Sequence, residues 1–101
     1  MRTFELEQTC EACPEQYWVK TGTETIGYIR LRFGHLTCDY LPQGRPKLEN
    51  EIRVLTHTWE GDKYKGCFDS AEERTMWLDK CKNALIKEYQ KQRAKKRQLN
   101  Y

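Results

Sequence analysis

The residues with the most chemical potential in this sequence are its cysteines and histidines. Cys10-x-x-Cys13 and His35-x-x-Cys38 have the two-residue gaps that let paired ligands close on one zinc ion, which takes four nitrogen and sulfur donors. Against that set, His35 and Cys38 lie an odd number of residues apart within one hairpin arm, so pleating sends them to opposite faces unless the turn distorts. Cys10, Cys13, His35 and Cys38 are thus the candidates for a small structural zinc-binding domain, while the favoured expectation is no metal and no cofactor. The five cysteines are an odd count, and no secretion signal precedes them, so the expectation is free thiols in a cytoplasmic protein rather than a disulfide framework. Cys67 and Cys81, each beside apolar neighbours, read as core thiols.

Catalysis finds little support. A cysteine nucleophile needs an imidazole and an orienting group, and the two histidines fall in a turn (His35) and on a strand (His57), where no pairing with a thiol can be argued. The sequence has no phosphate-cradling glycine loop, no serine-centred elbow and no His-Glu-x-x-His. Glu72 and Glu73 are explained by helix capping. The chain reads as a non-enzyme.

Charge is the next resource. The formal charge of +3 is unevenly placed: residues 87–97 hold six basic side chains (Lys87, Lys91, Arg93, Lys95, Lys96, Arg97) against Glu88, a local +5, and the rest of the chain is net −2. Cations at a helix end are favoured by the exposed carbonyls there, by ~0.3–1 kcal/mol each. The same residues, Lys91, Arg93, Lys95, Lys96 and Arg97, are the candidates for contacting DNA or RNA phosphates. Asp39, Glu49, Glu51, Glu60 and Asp62 weigh against nucleic acid on the body of the domain, because they would repel a phosphate backbone.

Aromatics supply the third resource. Three Trp, six Tyr and three Phe exceed what one small core needs. Tyr28, Arg30, Arg32, Trp59 and Tyr64 are the expected partner-binding residues, since Trp, Tyr and Arg are the usual anchors of protein interfaces. Trp18, Phe33, Phe68 and Trp77 are expected in the core.

These side chains must be positioned by a fold that 101 residues can build as one domain. Period-two alternation predicts a strand over about 2–9, a short one at Tyr17–Val19, and a central one from Thr25, with Ile29, Leu31 and Phe33 on one face and Tyr28, Arg30 and Arg32 on the other. Gly34 suits a tight reversal, giving a hairpin over about 25–41. Residues 41–47, with two prolines and a glycine, read as a loop; 51–59 reads as a strand, with 63–68 pairing back on it. Ser70 and Glu73 form a capping box, and Trp77, Leu78, Cys81, Ala84, Leu85 and Tyr89 repeat at helical spacing. The helix is expected to reach about Gln92 and to fray beyond it, which divides the chain into a domain over 1–92 and a basic extension over 93–101.

The expected architecture is α+β: a single-layer antiparallel sheet of about four to six strands, with two hairpins, packed on one long C-terminal helix. Architecture alone resembles small single-strand-binding domains with an open, basic and aromatic sheet face. The favoured function is a non-catalytic module docking on a partner protein, of the kind phages and mobile elements use as an inhibitor or accessory factor of a nucleic-acid-handling complex. The alternatives are direct single-stranded DNA or RNA binding through the open face and the basic helix end, and the zinc domain. No apolar run approaches the roughly twenty residues a membrane crossing needs, and no small-molecule substrate is evident.

Overall fold

Alternating burial organises the sheet. In the computed structural model, which describes residues 3–9 and 14–99 (the last four by backbone alone), Tyr17 and Val19 are buried and their neighbours Trp18 and Lys20 are only half-buried. The strands are β1 (Glu5–Gln8), β2 (Glu15–Thr21), β3 (Glu24–Arg32), β4 (His35–Tyr40) and β5 (Ile52–Thr58), antiparallel throughout and ordered β1-β2-β3-β4-β5. A single helix, α1 (Ala71–Leu99), follows them. The fold is therefore α+β, one antiparallel sheet packed on one long C-terminal helix, as the sequence pattern implies.

The core lies between α1 and one sheet face. Tyr17, Val19, Ile29, Leu31, Leu36, Cys38 and Tyr40 meet Leu78, Cys81, Leu85 and Tyr89, whose spacing keeps one helix stripe against the strands. Full burial of each such aliphatic side chain contributes roughly 1.5–3 kcal/mol. Gly27 sets how closely the helix approaches, because a Cβ there would stand 2.4 Å from Cδ1 of Leu85. Glu15, 2% exposed, ties three segments together. Its carboxylate accepts hydrogen bonds from Tyr17 Oη (2.5 Å), the Phe68 N–H (2.7 Å) and Arg74 Nε and Nη2 (2.8 and 3.2 Å).

Four local expectations are corrected. Phe33 does not continue the buried row of Ile29 and Leu31. It is the first of two turn residues between β3 and β4, at φ 53° with Gly34 at φ 73°, and is 58% exposed. Two positive φ values give the right-twisted reversal that a two-residue hairpin favours. Trp18 is not core, because Tyr17 and Val19 take the helix side of β2. Residues 63–68 form no strand along β5: the Lys65 carbonyl accepts from the Gly34 N–H (2.9 Å) and the Gly66 carbonyl from the Glu15 N–H (2.8 Å), which draws the segment across the strand ends. Finally, helical backbone extends past Gln92 to Leu99, consistent with a stretch of good helix formers and no glycine or proline.

The helix start matches its expected capping box: Ser70 Oγ accepts from the Glu73 N–H and Glu73 Oε1 from the Asp69 N–H, both at 3.0 Å. Cys38 and Cys81 are free and buried, but Cys67 is disulfide-bonded, contrary to the expectation of free thiols. Among the described residues, no helix is long and apolar enough to cross a membrane.

Candidate docking face

The face of the sheet away from α1 carries its side chains in rows that strand register lines up. One row crosses all five strands: Glu7, Trp18, Tyr28, Asp39 and Arg53 are successive cross-strand neighbours. The next holds Gln16, Arg30, Thr37 and Thr56, and a third holds Arg32, His35 and Thr58. Pleating puts these residues on one side: on β2, β3 and β4 each of them is next to a buried residue.

The first row is built around two rings. Trp18 and Tyr28 have centroids 4.7 Å apart with planes inclined by 40°. Charges close the row at each end: Glu7 accepts from Lys20 Nζ at 2.6 Å, and Asp39 accepts from Arg53 Nε. The hydrogen bond that Arg53 donates to Asp39 raises the Arg53 pKa above its ordinary value and outweighs the opposing burial. Arg30 and Arg32, in contrast, make no salt bridge among the described residues. Arg32 lies over the Phe33 ring, 4.7 Å from its centroid, and His35 Nδ1 is 2.9 Å from Thr58 Oγ1. The face thus offers a flat aromatic pair, two unneutralised guanidiniums and several hydroxyls.

Of the five residues expected to bind a partner, the structure brings three together. Tyr28, Arg30 and Arg32 share the open face. Trp59 lies on the helix side, where its ring centroid is 4.5 Å from His57, 5.4 Å from Trp77 and 6.2 Å from Phe68. Tyr64 stands in the following loop, 78% exposed, beneath Lys63. Sequence reasoning missed Trp18 and Gln16, although the signal was present: strict alternation through Tyr17, Trp18 and Val19 turns the tryptophan outward.

Of the four zinc candidates, the two described residues lie on opposite faces of the sheet. His35 is exposed on the open face and Cys38 is buried against α1, where its Sγ is 3.6 Å from the Cys81 carbonyl oxygen. Cys10 and Cys13 lie outside the described residues, and no group of three potential metal ligands occurs among those that are described. The hydrogen bond with Cys81, together with burial, pushes the Cys38 thiol pKa up, so it is a poor nucleophile. His57 is stacked 4.4 Å from Trp77.

Of the basic candidates, Arg93 is engaged locally: Nη1 donates to Tyr89 Oη at 2.7 Å, which donates to Glu24 Oε2 at 3.2 Å. This chain borders a pocket of about 350 Å³ also lined by Tyr40, Leu41 and Gln92. Lys91 and Lys95 are exposed, while the side chains of Lys96 and Arg97 lie outside the described residues. The open face and α1 are on opposite sides of the sheet, so the two halves of the single-strand-binding alternative are separated by it.

No protein-family model, curated protein or solved structure matches the chain.

Proposed function

We propose that this domain is a non-catalytic docking module that receives an acidic surface of a partner protein on the uncovered face of its sheet. The observation that carries the reading is the Trp18–Tyr28 ring pair beside Arg30 and Arg32, two guanidiniums without a carboxylate partner among the described residues. Trp, Tyr and Arg are the side chains most enriched among the few residues that dominate interface energetics. The neighbouring charges support an acidic partner, since Glu7 and Asp39 are neutralised by Lys20 and Arg53 and leave the arginines as the unbalanced charge. The buried Cys38 and the stacked His57 support a binding role over a chemical one.

The test is capture from nuclease-treated lysate of the source cells by the parent, by Arg30→Ala/Arg32→Ala, and by Tyr64→Ala as an off-face control. Retention of the same captured protein by parent and control, with loss in the double variant, is the expected result. Equal capture by all three removes the face from the interface. Capture that disappears on nuclease treatment points instead to nucleic acid.

A further inference from the structure

The second half of α1 carries a row of cations that the docking face does not use. Lys87, Lys91 and Lys95 recur at four-residue steps, are all exposed, and make no salt bridge among the described residues. At ~1.5 Å rise per residue they stand about 6 Å apart along one side of the helix. The helix dipole does not account for them. Its effect falls off within the last turn, and α1 continues to Leu99, which leaves Lys87 and Lys91 well inside it.

From the geometry we infer that this lysine row is a contact for the phosphate backbone of a nucleic-acid duplex, a site separate from the sheet face. The absence of anything greasy beside the row selects the occupant. Along the row, from Lys87 to Lys95, the apolar residues are Tyr89, which is buried in the core, and Ala94. A protein interface would need an aromatic or aliphatic anchor at its centre, and a membrane surface would need an apolar helix face to bury. A duplex, carrying one negative charge per ~1.7 Å of axis, requires only aligned cations, and the counterions they displace supply the driving force. Arg93 is not part of the row, because its guanidinium bonds Tyr89 Oη and lies over the Tyr89 ring at 5.4 Å.

The test measures fluorescence anisotropy of a short labelled DNA duplex with the full chain from about 50 to about 200 mM salt. The variants are Lys87→Gln/Lys91→Gln/Lys95→Gln, which keeps helix-favouring side chains, and Arg30→Gln/Arg32→Gln on the sheet. Far-UV circular dichroism checks that α1 is intact in each. We expect the triple variant to bind about tenfold or more weakly and to lose roughly 0.9 per lysine from the slope of log affinity against log salt, while the sheet variant binds as the parent does. The inference is overturned if the parent fails to bind at the lowest salt, or if the triple variant matches it. It is equally overturned if the sheet variant loses as much, or if poly-glutamate or phosphatidylserine vesicles compete as well as the duplex. Failure here leaves lysate capture by the sheet face untouched, so the two readings are separable.

Discussion

Trp18 and Tyr28 face each other across β2 and β3, with ring centroids 4.7 Å apart on the side of the sheet that α1 leaves uncovered. Such a pair contributes ~0.5–1.5 kcal/mol beyond the area it buries. Trp18→Ala should therefore cost stability, by about 1–2 kcal/mol, as well as binding. Arg30, with no ionic partner among the described residues, should behave differently: Arg30→Ala should stay within ~0.5 kcal/mol of the parent in urea melts while partner capture drops. A stability loss from Arg30→Ala as large as that from Trp18→Ala would mean the arginine supports the sheet and has no special place in docking.

Phe33 holds a backbone conformation that suits it poorly. At φ 53° in the first position of the β3–β4 turn, it stands where Asn or Gly is strongly preferred, and the left-handed region costs an ordinary L-residue roughly 1–2 kcal/mol. The ring recovers little of this, since Phe33 is 58% exposed and its contact with Arg32 is a surface one. Phe33→Asn should raise stability by about 0.5–1 kcal/mol, read as a higher thermal midpoint. An unchanged or lower midpoint would show that the ring contributes more to the fold than its exposure suggests.

The strands and the helix were legible in the sequence because their burial is one-sided. Ile29 and Leu31 alternate with Tyr28, Arg30 and Arg32, and the spacing of Leu78, Cys81, Leu85 and Tyr89 marks a single helix face. What was not legible depended on distant backbone partners. Lys63–Phe68 has the composition of a strand, but its carbonyls are taken by Gly34 and Glu15, residues far away in sequence. Phe33 was misplaced because a two-residue turn shifts where alternation stops, and nothing local distinguishes the last strand residue from the first turn residue. Half of the docking face could be read from Tyr28, Arg30 and Arg32. Trp18 was placed in the core although alternation with Tyr17 and Val19 turns it outward, and Trp59 falls on the helix side, where it packs with His57 and Trp77.

The Glu15 cluster sets an acid limit on the fold. Burial disfavours the Glu15 charge, but bonds from Arg74, Tyr17 and the Phe68 N–H outweigh it and hold the carboxyl below the usual carboxylate range. Burial and the adjacent carboxylate push Tyr17 up to about 12. A folded-state pKa below the unfolded one gives stability that is present above the unfolded value and is lost as pH falls through the folded one. Stability should thus be lost as pH falls through and below the usual carboxylate range. Glu15→Gln should flatten that fall and cost ~2–3 kcal/mol at neutral pH, toward the lower end for a broken buried pair because the Arg74 side chain is 41% exposed. An acid limb in the variant as steep as in the parent would assign the acid sensitivity to other carboxylates.

Cys67 secures the same corner covalently. The segment around it is held by Glu15 N–H to the Gly66 carbonyl (2.8 Å), by Gly34 N–H to the Lys65 carbonyl (2.9 Å), and by the buried Lys65 ammonium, which bonds Asp69 at 2.9 Å and Glu73 at 3.1 Å. A segment with no regular structure of its own, crossing the ends of a sheet, gains most from a cross-link that limits its freedom when unfolded. In protein prepared under oxidising conditions and unfolded in denaturant, Cys38 and Cys81 should react with an alkylating reagent, while Cys67 reacts only after reduction. Reduction, or Cys67→Ser, should lower stability by about 2–4 kcal/mol, and the loss should appear first as faster hydrogen exchange at the Glu15 and Phe68 amides that this corner protects. Alkylation of Cys67 without reductant would show that the bond does not form and that the hydrogen-bonded contacts alone hold the corner.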